Sequence, residues 1–298
     1  MKKPLSIVMA VALAAGLGLV WVTAASPAPA SPAPALHCAA SSAAGTRAAV
    51  VELYTSQGCS SCPPADRWLS RLSSHHAADG VIPLAFHVDY WNDLGWKDPF
   101  SRPEFSQRQR ELAVRAGIGL VYTPAVFIDG REHRRWDDAA ATQRAIDAAK
   151  GAAAGISLDV DVERDGERLS VGVRASPPAA VPGVDLVLAL TQSGRSTSVA
   201  AGENRGATLL DDDVVRAWLS RRLSPAGAER LELELPGDGP REFALAALAY
   251  DGRTGSLLQG VRLDLGSCRD LRSRTPGRRA GCRSRPRSRR PADRPGAR

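Results

Sequence analysis

Apolar residues follow two different periodicities along this chain, and the change falls near residue 154. Between residues 46 and 153, short apolar runs that suit buried strands alternate with stretches in which apolar residues recur every three or four positions, as on one face of a helix. Strands are expected at 50–54, 81–88 and 125–128, and helices from near Cys59 to about His75, at 101–116 and at 137–150. This alternation predicts an α/β unit in which helices cover a sheet.

From residue 154 to 266 the apolar residues alternate with polar ones instead. Residues 156–162 and 169–173 alternate on either side of Asp165-Gly166, a pattern typical of a hairpin. Further strands are expected at 184–190, 231–235, 243–250 and 261–265. One helix is expected from Asp211 to Arg222, because three acids open that stretch and arginines close it. The segment is therefore predicted to be a smaller β-rich, sandwich-like domain.

Both ends of the chain differ in composition from the part between them. Lys2 and Lys3 precede an apolar run and then small residues, so residues 1–25 are interpreted as a signal peptide, although an uncleaved anchor stays open. Residues 26–45 form a spacer rich in Pro, Ala and Ser, and residues 267–298 a basic tail expected to be disordered. The protein is expected to be exported, either periplasmic or secreted. Stable membrane insertion is expected only if the signal is uncleaved.

The positive charge of the chain does not point to a nucleic acid partner. The net charge is +7, but 12 arginines against two aspartates lie from residue 266 onwards. The rest of the chain is therefore mildly acidic, without the basic groove that phosphate binding requires.

The chemistry is expected at Cys59 and Cys62, which form a C-x-x-C pair between a strand and a helix. The positive end of a helix dipole and its unpaired N–H groups favour thiolate over thiol. We expect Cys59 to be the more exposed, attacking thiol and Cys62 to resolve the mixed disulfide. The expected partners are protein thiols or disulfides, and no cofactor is expected. Export would place the pair in an oxidising compartment, where a purely structural disulfide is a further possibility.

Two other classes of function stay open. A soft-metal carrier, for instance for copper, could use Cys59 and Cys62 with His87 as a third ligand, although the chain has only two Met residues. A non-catalytic binding module could instead keep a structural disulfide and bind a partner through Tyr90, Trp91 and Trp96. The sequence A-G-E-N-R-G, residues 201–206, is interpreted either as a structural turn or as part of a shared cleft.

The cysteine helix together with Thr123-Pro124 resembles the thioredoxin superfamily. That resemblance implies a cis peptide bond before Pro124, with the Thr123 backbone near Cys59, where a substrate could bind. Four stretches resemble more closely an exported bacterial family known as domain of unknown function twelve-twenty-three: E-L-Y-T-S-Q-G-C-S-S-C-P-P-A-D, H-V-D-Y-W-N-D-L-G-W-K-D-P-F, Y-T-P-A-V-F-I-D-G and A-G-E-N-R-G-A-T-L-L-D-D-D-V-V-R. The resemblance implies a thioredoxin-like domain at 46–153 and leaves the substrate open.

The comparison with thioredoxins raises one hypothesis about an acid. Thioredoxins carry a buried acid six residues before the first cysteine, whereas Glu52 lies seven residues before Cys59. Glu52 is hypothesised to accept the proton of Cys62, and the alternative is a Glu on the solvent side of an edge strand.

Three cysteines remain outside the C-x-x-C pair. Cys38 and Cys268 flank the two ordered segments, so a disulfide between them is predicted to join the ends of the fold. The number of cysteines is odd, and Cys282 in the basic tail is expected to be left over.

Overall fold

A computed structural model describes residues 36–42, 45–76, 79–176, 183–238 and 242–270, all of which belong to one compact unit. The fold is mixed α/β and is dominated by sheets. The predicted signal peptide and residues 271–298 of the basic tail lie outside the described residues. Residues 267–270, expected to belong to that disordered tail, are part of the fold instead, because Cys268 forms a disulfide and Arg269–Asp270 form a short strand. No helix within the described ranges is long and apolar enough to cross a membrane.

The strands and helices alternate as follows. The helices are α1 (Pro63–His76), α2 (Pro103–Arg115) and α3 (Ala139–Lys150). The strands before residue 154 are β1 (Leu36–Ser41), β2 (Ala49–Thr55), β3 (Val81–His87), β4 (Ala125–Ile128) and β5 (Arg131–Glu132). Those after it are β6 (Ser157–Asp165), β7 (Arg168–Ser176), β8 (Val184–Gln192), β9 (Arg195–Ser198), β10 (Thr208–Asp211), β11 (Val214–Arg222), β12 (Ala228–Glu234), β13 (Phe243–Asp251), β14 (Leu257–Asp264) and β15 (Arg269–Asp270).

Both segments contribute to one eight-stranded sheet, in the order β14-β13-β8-β11-β3-β2-β4-β5. The halves meet where β11 runs parallel to β3, with Val214 opposite Ala85. The Ala85 N–H also donates to the carbonyl of Asp213 at 2.9 Å. The change of periodicity near residue 154 therefore separates two sequence patterns that share a sheet.

Each face of this sheet is covered by a different layer. On the face formed by Leu53 and its neighbours in β2, α1 and α3 pack over β2, β3 and β4 through Leu69 and Ile146. On the opposite face, the α2 face, Phe86 of β3 packs with Phe105 of α2. The alternation of residues along β2 distributes its side chains between these two cores.

A second sheet of five strands, in the order β12-β7-β6-β1-β15, covers the other half of the large sheet. Its apolar residues, such as Leu158 and Val160 of β6, pack against Leu186 and Leu188 of β8. The two sheets thus form the layers of a sandwich, and one of these layers also carries the C-x-x-C segment.

The helix expected from Asp211 to Arg222 is wrong, because that stretch forms the end of β10 and the whole of β11. β11 is an inner strand that pairs with β8 from Val214 to Arg222. Two of the three acids that suggested a helix start are instead buried partners: Asp211 accepts from Gln57 at 2.7 Å, and Asp213 adopts φ of +51° and accepts from Arg262 at 3.2 Å. Cross-strand pairing outweighed the charge pattern.

The ends of the described chain meet in the five-stranded sheet. Residues 36–41, expected to be spacer, form β1, because Cys38 is buried in the core of the sandwich and the strand pairs with β6 and β15. The predicted disulfide between Cys38 and Cys268 is present, with Cα atoms 4.5 Å apart and 230 residues between them in sequence. Cys282 lies outside the described residues.

The disulfide is expected to stabilise the fold because it closes a very long loop. The double variant Cys38→Ser/Cys268→Ser should lose about 2–5 kcal/mol of unfolding free energy in urea denaturation. Cys282→Ser is the matched control and should unfold like the wild type. Equal midpoints for the double variant and the control would contradict this prediction.

A buried ion pair anchors α2 to the sheet. Arg108 of α2 donates from Nη2 and Nε to the two carboxylate oxygens of Glu52, at 2.7 and 2.9 Å, and Tyr54 donates to the same carboxylate at 2.7 Å. The guanidinium lies 4.3 Å from the ring centre of Trp218 in β11. This contact joins α2 to strands from both halves of the chain.

Glu52→Ala should leave the Arg108 charge buried without its partner, at a cost of about 3–5 kcal/mol in unfolding free energy. Glu104→Ala is the control on the same helix, because Glu104 forms an exposed pair with Arg102 that contributes little. Urea denaturation compares the two variants, and similar losses would show that the buried pair does not anchor α2.

Candidate functional site

The cysteines lie on a tight turn between β2 and α1, which we call the cysteine turn (residues 56–62). The Cys59 N–H donates to the Ser56 carbonyl at 3.1 Å, and the Cys62 N–H donates to the Cys59 carbonyl at 3.2 Å. The Cys62 carbonyl then accepts from the N–H of Asp66 at 3.1 Å, as the residue before a helix does.

Helix α1 begins at Pro63, and not near Cys59 as expected. A residue that precedes proline disfavours the helical conformation, so Cys62 stays just outside the first turn. Pro63 and Pro64 take the first two helical positions, where their missing N–H groups have no partner to lose. Cys62 therefore lies at the helix N-terminus, and Cys59 lies about one turn in front of it.

Both thiols are free and buried, with Cys59 1% and Cys62 0% exposed, so the expected difference in exposure is absent. They differ in ionisation instead. The hydrogen bond from Cys62 is the main cause that lowers the pKa of Cys59 to about 6, assisted by Ser61, whose hydroxyl oxygen lies 3.2 Å from the Cys59 sulfur. Burial raises the pKa of Cys62 far above its usual value. At neutral pH the pair holds one thiolate and one thiol.

Thr123 and Pro124 lie against the cysteines, as expected. The peptide bond between them is cis, and the Thr123 carbonyl oxygen lies 3.9 Å from the Cys59 sulfur. The hydroxyl of Thr123 accepts from the indole N–H of Trp91 at 2.8 Å. Trp91 thereby connects the loop after β3 to the segment before β4, which faces Cys59.

The other aromatic residues of the expected wall also border the cysteine turn. Trp96 donates from Nε1 to the side chain of Gln57 at 3.3 Å. The Tyr90 hydroxyl donates to the side chain of Gln109 in α2 at 3.2 Å. A side chain at Gly58 would place its Cβ 3.3 Å from that of Trp91, so the absence of a side chain allows the turn and the wall to approach closely.

The structure separates Glu52 from the cysteines. Its side chain points to the α2 face of the sheet, whereas α1 and Cys62 lie on the other face. Because both carboxylate oxygens bind Arg108, the hypothesis that Glu52 accepts the proton of Cys62 is not supported by the geometry.

An acidic cluster that the sequence did not reveal lies beside Cys62 instead. We call it the acid–imidazole cluster, and its members are Asp66, His87, Asp98 and Asp211. Burial, together with the charge of Asp211, raises the pKa of the Asp66 carboxyl to about 7. The charge of Asp66 in turn contributes to the raised pKa of Cys62, so the two groups interact.

His87 occupies the centre of this cluster. Its Nδ1 donates to the carboxylate of Asp98 at 2.7 Å, and the ring is 1% exposed. Burial disfavours the charged ring, but Asp98 outweighs this effect and raises the pKa of His87 to about 9. Asp211, which also lies in the cluster, accepts from Gln57 of the cysteine turn at 2.7 Å.

Sequence signals for this cluster differ among its members. Asp66 follows Cys62 by four residues, which places both on one side of the helix start, and that spacing could have identified it. Asp98 comes from a remote loop and Asp211 from the end of β10, and neither has such a signal.

The ligand set proposed for a soft metal is not assembled. Within the described ranges, no group of three or more His, Cys, Asp or Glu side chains is arranged to hold a metal ion. Nδ1 of His87 is already engaged with Asp98.

Residues 201–206 form part of the site wall. Asn204 donates from its side-chain amide to the carbonyls of Gln57 and Cys59, at 2.9 and 3.0 Å. The Ser60 N–H donates to the Glu203 carboxylate at 2.9 Å. The loop between β9 and β10 therefore lies on the cysteine turn, in agreement with the shared-cleft interpretation.

Two solved structures resemble this chain. The crystal structure of protein AGR_C_4864 from Agrobacterium tumefaciens is 26% identical, with a TM-score of 0.52, and the match covers 72% of this chain and 93% of that one. HBP35 of Porphyromonas gingivalis is 13% identical, with a TM-score of 0.55 and coverage of 76% and 77%, and so shows a likeness of fold alone.

The family comparison covers the whole candidate site. No curated protein matches the chain. A family profile matches residues 50–247, a range that includes the cysteine turn, Thr123-Pro124 and residues 201–206. On this match the chain belongs to the family described as "Protein of unknown function (DUF1223)".

Proposed function

We propose that this protein is an exported thiol-disulfide oxidoreductase with a thioredoxin-like segment around Cys59 and Cys62. The observation that carries the proposal is the placement of two adjacent free thiols at a helix N-terminus, and the opposite shifts of their pKa values support it. A low pKa supplies a nucleophile at neutral pH, and a high pKa keeps the second thiol in reserve. The cis peptide bond before Pro124 and the Thr123 carbonyl next to Cys59 support the same reading.

The proposed reaction transfers two electrons from the protein dithiol to a disulfide of a substrate protein. The Cys59 thiolate attacks one substrate sulfur, which forms a mixed disulfide and breaks the substrate S–S bond. The released substrate thiolate takes up a proton. Cys62 then loses its proton and attacks the Cys59 sulfur, which forms the Cys59–Cys62 disulfide and releases the second substrate thiolate. The reverse sequence oxidises a substrate dithiol.

Asp66 is proposed as the group that accepts the proton of Cys62. A base works best when its pKa lies near the working pH, and the carboxyl of Asp66 has a pKa of about 7. It replaces Glu52 in the role that the sequence suggested for that residue.

Substrate binding is proposed at the surface formed by Thr123 and the aromatic wall of Tyr90, Trp91 and Trp96. Because Cys59 is 1% exposed, a substrate must displace part of this cover before its sulfur reaches the thiolate. Aromatic side chains that also carry a polar group suit such contacts with polypeptides.

The proposal that the protein is exported rests on the sequence of residues 1–25, and the disulfide between Cys38 and Cys268 supports it. Structural disulfides persist in oxidising compartments and are rare in the cytosol of mesophiles.

The burial of Cys59 favours a second candidate, a non-catalytic binding module. The reduction potential of the Cys59–Cys62 pair distinguishes the two functions. A potential in the range of known oxidoreductases, with mixed disulfides trapped on Cys59 in Cys62→Ser, supports exchange. A pair that stays oxidised below about −300 mV would be a structural disulfide, and the oxidoreductase would be abandoned.

The thiolate of Cys59 should titrate near pH 6, and its stability should depend on a donor at position 62. Cys62→Ala removes the donor and should raise the pKa of Cys59, whereas Cys62→Ser keeps a hydroxyl donor and should raise it less. The pH dependence of alkylation by iodoacetamide measures the pKa, with Cys59→Ser as the blank. A titration curve for Cys62→Ala identical to that of the wild type would show that Cys62 does not stabilise the thiolate.

Asp66→Asn should slow the resolution of the mixed disulfide by about 100-fold, the lower end of what a positioned base contributes. The first attack by Cys59 should be little changed. Stopped-flow single turnovers resolve the two steps, and Asp147→Asn on the exposed side of α3 is the control.

The pH dependence of stability separates this role from a structural one. The folded pKa of Asp66 is raised, so ionisation of this carboxyl costs stability as the pH rises towards about 7. Asp66→Asn removes that cost and should unfold no more easily than the wild type at pH 8. A destabilised variant, or an unchanged resolution rate, would exclude Asp66 as the proton acceptor.

A further inference from the structure

The loop between β9 and β10 contacts the cysteine turn through its backbone. Asn204 binds the carbonyls of Gln57 and Cys59, and Glu203 binds the N–H of Ser60. These contacts span 143 to 147 residues of sequence, so the second half of the chain holds the reactive turn of the first half. Asn204 binds only backbone atoms of the turn, whereas Glu203 also interacts with the side chain of Ser60.

A second contact fixes the loop against the aromatic wall. Gly202 adopts φ of +72°, and an added Cβ would lie 3.1 Å from the Cβ of Trp96. Trp96 in turn donates to Gln57 of the cysteine turn. The loop that carries Glu203 and Asn204 is therefore held by the cysteine turn on one side and by Trp96 on the other. These contacts fix the direction of the two polar side chains.

Glu203 brings a negative charge to the backbone of the residue that follows Cys59. Ser60 directly follows Cys59, and its N–H is the donor to the Glu203 carboxylate. Hydrogen bonds from Ser60 hold the pKa of Glu203 below its usual range, so this side chain is ionised at neutral pH. A carboxylate at this position repels the Cys59 thiolate and also occupies an N–H that could otherwise face it.

Asn204 acts in the opposite direction. Its amide group presents hydrogens to two carbonyl oxygens of the cysteine turn, including that of Cys59 itself. The positive end of this side-chain dipole lies on the Cys59 backbone, where it favours a negative charge on the residue.

We propose that Glu203 and Asn204 are positioning residues that set the redox potential of the Cys59–Cys62 pair. Glu203 shifts the pair towards the disulfide and Asn204 towards the dithiol. The inference rests on the proposed function, because a potential matters only if the two thiols exchange with substrates.

The direction follows from the balanced equilibrium with glutathione. The protein dithiol and one oxidised glutathione give the protein disulfide and two reduced glutathiones, so two electrons pass to glutathione. The dithiol carries the Cys59 thiolate at neutral pH, whereas the disulfide carries no charge there. A negative neighbour therefore destabilises only the dithiol and makes the pair more reducing.

The experiment measures the glutathione equilibrium constant and the pKa of Cys59 in the full chain. Glu203→Gln keeps an acceptor for the Ser60 N–H and removes the charge. It should shift the equilibrium towards the dithiol by about two- to threefold, as expected for a unit charge that acts on the sulfur through solvent and not by direct contact. The pKa of Cys59 should fall with it, and both effects should shrink in high salt.

Asn204→Ala should shift both quantities the other way, by about twofold. The opposite signs matter because a general loosening of the turn would move both variants alike. Asp93→Asn is the matched control, since Asp93 is an exposed acid on the short 3-10 turn (Asn92–Leu94) of the neighbouring wall. It should leave both quantities unchanged.

The outcomes separate the two proposals. If the wild type exchanges with glutathione but Glu203→Gln has the same equilibrium constant as the wild type or as Asp93→Asn, this inference is wrong. The proposed oxidoreductase function would then still stand. If the wild-type pair cannot be reduced by glutathione buffers, the proposed function fails and takes the inference with it. Melting curves identify any variant that has lost its fold, and Glu203→Asp, which keeps the charge, should restore the wild-type potential.

Discussion

The parallel contact between β3 and β11 is the interaction on which the site depends. It consists of one residue pair, Val214 opposite Ala85, extended by the hydrogen bond from Ala85 to the Asp213 carbonyl. Asp213 is fully buried, adopts a left-handed conformation and binds Arg262 of β14. This one turn directs β11 into the sheet beside β3. As a result, β10 and the loop before it lie next to α1, and that proximity is what brings Asn204 and Asp211 to the cysteine turn.

A shared sheet changes what the β-rich half can do. An independent sandwich would connect to the cysteines only through a linker, and its loops could adopt any orientation. Here the strand order fixes the orientation, because β11 is hydrogen-bonded to strands of both halves. The Glu52–Arg108 pair strengthens the same joint from the α2 face, with Trp218 of β11 stacked on the guanidinium. The geometry of the cysteine turn therefore depends on contacts from both halves of the chain.

The sequence was informative where a pattern is local and uninformative where the answer depends on distant partners. Alternation identified the strands of the hairpin, and the C-x-x-C spacing between a strand and a helix identified the cysteine turn. The cis bond before Pro124 was implied by the resemblance to the thioredoxin superfamily. The prediction of a helix at 211–222 was wrong because Asp211 and Asp213 accept hydrogen bonds from Gln57 and Arg262, which lie far away in sequence. The hypothesis for Glu52 is not supported because this residue lies one position further from Cys59 than the acid of thioredoxins. A shift of one residue along a strand moves a side chain to the other face of the sheet.

The acid beside Cys62 is Asp66 of α1, a member of the acid–imidazole cluster, and not Glu52 of β2. Three carboxylates surround His87, which stays protonated and compensates one of them, Asp98. Burial, together with the neighbouring negative charges, raises the pKa values of Asp66 and Asp211, and that of Asp66 reaches about 7 next to Cys62. Before the reaction, the Cys59 thiolate is among the groups that keep Cys62 protonated. In the proposed reaction, formation of the mixed disulfide on Cys59 removes that charge and its hydrogen bond to Cys62, so the pKa of Cys62 falls although burial still raises it. Loss of the Cys59 charge therefore favours release of the Cys62 proton after the first bond has formed, and not before it.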